Sequence, residues 1–126
     1  MGKRMLGVST SIPDLDGMEL SIEDSIVATP SGTQGISFKL DMNKGIHVVI
    51  TVGTGNDGVD IPILATGSHR VFWIYNAAAS NSLQVFAKNP DTIDAVATAT
   101  GVAIAAAKGR MFYDYAPGKW ISFYGA

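Results

Sequence analysis

Apolar and polar positions alternate along this chain in short runs with a period of two. Met18-Glu19-Leu20-Ser21-Ile22-Glu23 and Ile36-Ser37-Phe38-Lys39-Leu40-Asp41 each place every second residue on one apolar face, the signature of a half-buried strand. Ser25–Thr29 is a further strand candidate, closed by Pro30-Ser31-Gly32. Ile46–Val52 is the most strongly β-forming run of the N-terminal half. Its expected inward set is Ile46, Val48, Ile50 and Val52, which leaves His47 and Thr51 on the opposite, surface side.

The C-terminal half changes character. Val71-Phe72-Trp73-Ile74-Tyr75, Leu83-Gln84-Val85-Phe86, Met111-Phe112-Tyr113 and Trp120-Ile121-Ser122-Phe123-Tyr124 are β-branched and aromatic runs bounded by turn formers. Pro117-Gly118 inside Ala116–Lys119 is a turn with a mechanism, since proline presets φ at the second position and glycine accepts positive φ at the third. The pattern predicts two hairpins, Val71–Ala87 and Met111–Gly125. A strand covered on one side alternates apolar with polar, whereas Val71–Tyr75, Arg110–Tyr115 and Trp120–Tyr124 are apolar on both sides. Something must cover each face, and a neighbouring subunit is one such cover. Trp73, Phe112, Trp120 and Tyr124 are therefore the expected subunit-interface residues of the domain.

Residues 1–17 show no sustained period and read as an extended arm. Met5, Leu6 and Val8, with a short strand expected at Met5–Val8, are its apolar contacts to a neighbour. The alanine-rich stretch Thr92–Lys108 is interrupted by Gly101, and predicts a turn or short helical piece at Ile93–Ala97 and a strand at Val102–Ala105. Eight to ten short strands without a long helix make an all-β fold. The expected architecture is a single antiparallel β-sandwich or barrel, jelly-roll-like, over residues 18–126 behind the arm at 1–17.

Composition narrows the function classes. Charged residues are 16% of the chain against about 25% in ordinary soluble domains, so part of the surface is expected to be hidden by other subunits. A net charge of −2 gives no general attraction to nucleic acid or to an anionic membrane. Without cysteine there is no disulfide or thiolate-metal scaffold. The apolar run after Lys3-Arg4 stops at Ser9-Thr10-Ser11, too short for a signal sequence or a membrane span.

Candidate chemistry is sparse. Gly53-Thr54-Gly55-Asn56-Asp57-Gly58 matches G-x-G-x-x-G, but leads into the proline-containing Val59–Leu64 rather than a helix. No acid stands near Phe72–Tyr75, where the ribose partner would fall. It reads as a loop between strands. Asp14 and Asp16 lack the further oxygen ligands of a calcium loop. With two histidines and no G-x-S-x-G elbow, no nucleophile–base pair is recognisable. The chain is expected to be non-enzymatic, with no catalytic residue, cofactor or metal ligand assigned. Trp73, Trp120 and the tyrosines, if exposed, suit stacking on sugars, which keeps a carbohydrate-binding β-sandwich as the alternative of another class.

Asn76-Ala77, Leu83–Phe86, Asp91-Thr92-Ile93-Asp94, Ala97, Gly101-Val102, Ile104–Ala106, Lys108 and Pro117–Trp120 in series resemble a pattern of small tailed-bacteriophage virion proteins. The resemblance covers about residues 63–124, and its motifs are structural rather than catalytic. It implies a β-rich capsid decoration or cement protein, made in the host cytoplasm and placed on the capsid surface of the virion. Its implied partners are its own copies, often in a homotrimer, and the major capsid protein. The particle-binding domain of a head fibre or tail appendage is the alternative within the same class.

Overall fold

The computed structural model describes residues 21–62, 69–97 and 99–124. Within them the chain forms ten strands and no helix: β1 (Ile22–Val27), β2 (Phe38–Lys39), β3 (Ile46–Thr51), β4 (Gly58–Asp60), β5 (Val71–Asn76), β6 (Leu83–Phe86), β7 (Thr92–Ile93), β8 (Val102–Ile104), β9 (Lys108–Ala116) and β10 (Lys119–Tyr124). They build two sheets, of order β1-β3-β5-β9-β10-β7 and β2-β4-β6-β8. The expected Met5–Val8 strand and the arm contacts Met5, Leu6 and Val8 lie outside the described residues.

The all-β expectation holds, and the antiparallel one does not. From β1 to β6 the chain alternates between the two sheets, and each strand pairs in parallel with the one two positions on. This is the course of a β-solenoid rather than of an antiparallel sandwich, barrel or jelly roll. The strands of the larger sheet begin at Ile22, Ile46 and Val71, one coil of 24 or 25 residues apart. The chain then reverses. β8 runs antiparallel to β6, β9 antiparallel to β5, and β10 antiparallel to β9, so the final strands close one end of the coil.

Of the two expected hairpins, one forms. β9 and β10 pair across Pro117-Gly118, with Gly118 at φ +72°, the left-handed conformation the turn demands of a glycine. β5 and β6 do not pair, because the chain crosses to the other sheet after Asn76. The Asn76 side chain explains the crossing. It is fully buried, its Nδ2 donating to the carbonyls of Asn81 and Ile104 (3.0 Å each) and its Oδ1 accepting from the Ala78 N–H at 3.1 Å. A buried amide with its groups met in this way holds the corner and ties β5 to β8 in the opposite sheet.

One core lies between the sheets. Phe72, Ile74, Val49 and Phe112 from the larger sheet meet Val59, Leu83, Val85 and Ile104 from the smaller, all at most 1% exposed. Trp120 packs tilted on Phe72, ring centroids 6.1 Å apart. On the outer side of the smaller sheet Asp60 and Phe86 are buried, while Lys39 and Ala103 are exposed. Phe86 lies so close to Gly58 that a Cβ there would stand 2.8 Å from its ring, an approach only glycine permits. The Gln34 amide donates to the Ala87 carbonyl at 2.9 Å.

From Ile46 to Ile50 the parity of β3 is the reverse of the expected one, whereas Thr51 is exposed and Val52, just past the strand, is buried, as expected. His47 and Val49 turn inward and are completely buried, while Ile46 and Val48 are partly covered and Ile50 is 46% exposed on the outer side. His47 is thus not a surface residue. Its Nδ1 lies 2.8 Å from Glu23 Oε1 on the adjacent strand β1, a hydrogen bond that makes the buried imidazole tolerable.

Candidate functional site

The outer side of the six-stranded sheet carries what the rest of the molecule does not absorb. Residues 22, 46, 73, 111 and 123 are register partners in succession across β1, β3, β5, β9 and β10. Because side chains alternate across a strand, Ile22, Ile46, Trp73, Met111 and Phe123 all point outward in one ladder. Ile22 is 52%, Trp73 44% and Phe123 47% exposed. On one side of it runs a second row, Val71–Tyr113–Ile121, and on the other a third, Val48–Tyr75–Gly109. No charged side chain stands in these three rows.

The position of each expected interface residue follows from this register. Trp73 is at the centre of the ladder. Phe112 and Trp120 are not on it: at 0% and 4% exposure they point into the domain's own core. They share the inward parity of Phe72, and this corrects their assignment to a subunit interface. Tyr124 is exposed but has that inward parity too, at the sheet's end, where its ring lies 4.0 Å beneath the Arg110 guanidinium and its hydroxyl donates to the Ala103 carbonyl. Ile22, Ile46, Met111 and Phe123 were not singled out. The doubly apolar strands were the available signal for β9 and β10, but no signal in the sequence aligns strands a coil apart.

The polar clusters are spent on structure. Asp57 accepts from the Gly53 N–H (2.7 Å), the Thr54 hydroxyl (2.8 Å) and the Ser31 N–H (3.3 Å), closing the Gly53–Gly58 loop on itself. The Thr54 hydroxyl, with these N–H groups, holds its carboxyl below the ordinary range in spite of burial. The loop joins β3 to β4, the strand Gly58–Asp60; of the expected strand Val59–Leu64, Ile63 and Leu64 lie outside the described residues. Asp60 Oδ2 accepts from Lys39 Nζ (3.1 Å) and the Gly35 N–H (3.0 Å), while burial pushes its carboxyl above the ordinary range against the Lys39 charge.

An open pocket of about 260 Å³ adjoins it, lined by Gly35, Lys39, Asp60, Ile61, Lys88 and Asn89. Asp60 Oδ1 is sealed from solvent without a partner, out of reach of a solute in the pocket. At the far end of the larger sheet, Asp94 accepts from both the backbone N–H and the hydroxyl of Ser122. The same carboxylate meets Arg110, whose Nε donates to the Ser122 oxygen at 2.7 Å. Ser122 is thereby held between a carboxylate and a guanidinium, and the cluster forms a clasp between β9, β10 and the β7–β8 connection.

His47 and Glu23 form the one imidazole–carboxylate pair among the described residues, and His47 is fully buried against the Phe72 ring. Among those residues no group of three or more histidine or acidic side chains is placed to hold a metal ion. Comparison with protein-family models, with curated proteins and with solved structures returns no match to this chain.

Proposed function

We propose that this chain is a non-enzymatic structural protein of a tailed-bacteriophage virion, which decorates the outer capsid surface as a homo-oligomer and strengthens the particle. The observation that carries the reading is the uncharged ladder Ile22–Ile46–Trp73–Met111–Phe123 with its two flanking rows. Large exposed apolar patches on soluble proteins mark interaction sites, and this one spans five strands of the sheet. The resemblance over residues 63–124 supplies the class of particle, and the structural use of Asp57, Asp60, Asp94 and His47 fits a protein that does no chemistry. In this reading the major capsid protein is the second partner, met through the segment before β1 that carries Met5, Leu6 and Val8. Neither nucleic acid nor membrane is a partner.

The parallel coil from β1 to β6 favours one second reading, the particle-binding domain of a head fibre or tail appendage. Stacked coils are the way elongated solenoids are built. Quantitative mass spectrometry of particles purified from the virus encoding this chain tests both. Copies in simple proportion to the major capsid protein support decoration, and a few copies per particle support the appendage. Absence from purified particles would refute both.

A further inference from the structure

We infer that the outer face of the six-stranded sheet is a self-association surface, covered in solution by the same face of another copy of this chain. The inference rests on the assembly role proposed above and names the occupant of the surface. Area is the first argument. Aromatic side chains expose roughly 150–250 Å² each when free, and the seven residues Ile22, Ile50, Val71, Trp73, Tyr75, Ile121 and Phe123 are each 37–52% exposed. Together they leave on the order of 600 Å² of apolar surface, close to the ~800 Å² that each partner contributes to a stable interface. That is the upper end of the largest apolar patches found on monomers, which are themselves often functional.

Charge is the second argument. The three rows contain no ionised group, and Asp24 and Lys119, of the same outward parity on β1 and β10, stand outside them, so two copies of the rows meet without repulsion. A partner recognised through charge finds nothing to recognise within these rows. A symmetric contact needs a patch complementary to itself, and uncharged aliphatic and aromatic rows meet that condition. The tyrosines Tyr75 and Tyr113 flank the central ladder on its two sides, bringing hydroxyls to the border of the contact, where polar groups belong in interfaces.

The test uses the full chain. Sedimentation equilibrium over a dilution series gives the mass, and tryptophan emission with a soluble quencher gives the state of the face. Trp120 is buried in the core whatever the assembly, so a concentration-dependent change reports Trp73. The expected result is a multimer whose Trp73 becomes red-shifted and quenchable on dilution. Trp73→Arg and Met111→Arg should each weaken association at least tenfold with an unchanged β-sheet spectrum. Ile121→Glu, on the same face, takes their place where either fails to fold.

A monomer at every concentration overturns the inference, as does a multimer indifferent to all three substitutions. If Met5→Glu with Leu6→Glu in the full chain exposes Trp73 at every concentration, the chain's own N-terminal segment is the cover, and the inference is likewise overturned. Particle occupancy is read separately. A monomer that still loads onto capsids sinks the self-association surface alone, whereas a multimer absent from particles sinks the virion reading alone.

Discussion

His47 Nδ1 stands 2.8 Å from Glu23 Oε1 across the parallel pair β1–β3, and this contact is bound up with the direction of the whole larger sheet. With His47 and Val49 inward, Ile46, Val48 and Ile50 point out, and the ladder through Trp73 exists. Glu23 Oε1 also accepts from the Asp41 N–H at 2.8 Å, so one carboxylate holds both β3 and the entry to it.

Removing that acceptor strands a buried imidazole whose Nε2 already has no partner. Glu23→Ala is expected to lower stability by about 1–3 kcal/mol, the cost of leaving a buried polar group unpaired. Glu23→Gln, which keeps an oxygen at the same place, should recover much of it. The double change Glu23→Leu with His47→Leu should lie nearer to wild type than Glu23→Ala, because it removes the buried imidazole and leaves only the Asp41 N–H without its acceptor. Urea unfolding of the four proteins checks the order.

Asp57 and Asp60 are opposed in their response to acid. The folded pKa of Asp57 is depressed, so its contribution is present above the unfolded carboxylate pKa and is lost as pH falls through the folded value. Asp60 is raised, so the fold favours its protonated form, and its ionisation opposes folding as pH climbs past the unfolded value. Asp57→Asn should therefore lower Tm at pH 7 and approach wild type near pH 3. Asp60→Asn should cost less at pH 7 than Asp57→Asn, since the amide retains an oxygen for the Gly35 N–H and relieves a buried charge. Thermal melts at the two pH values decide this.

Asn76 holds the corner between the two sheets with three hydrogen bonds. Asn76→Ala should cost about 2–3 kcal/mol, as expected when buried backbone groups lose their partners. Asn76→Asp should fare worse at neutral pH than at acid pH, because the new carboxylate would face the carbonyls of Asn81 and Ile104. Denaturation midpoints at the two pH values check both.

Parts of this architecture were legible in the sequence for local reasons. Pro117-Gly118 encodes its own turn, and the strand character of Val59–Leu64 was enough to make Gly53–Gly58 a loop. The solenoid course was not legible, because pairing Ile22 with Ile46 and Ile46 with Trp73 is non-local and repeats no residue motif. The β5–β6 crossing was hidden for a similar reason. Asn76–Ser82 has the composition of a hairpin loop, and only the contacts of Asn76 with Ala78, Asn81 and Ile104 show that it turns a corner. Phe112 and Trp120 sit on strands apolar on both sides, where parity cannot be read from pattern. Trp73 was legible as an aromatic on a strand apolar on both sides, but its outward ladder was not.

The most direct test of the central claim is reconstitution on capsids assembled without this chain, comparing wild type with Trp73→Arg. The account predicts saturable loading of wild type in multimeric units and a higher temperature of capsid disruption, with Trp73→Arg loading poorly and protecting less. No loading of wild type, together with saturable binding of a sugar by the free protein, would contradict it.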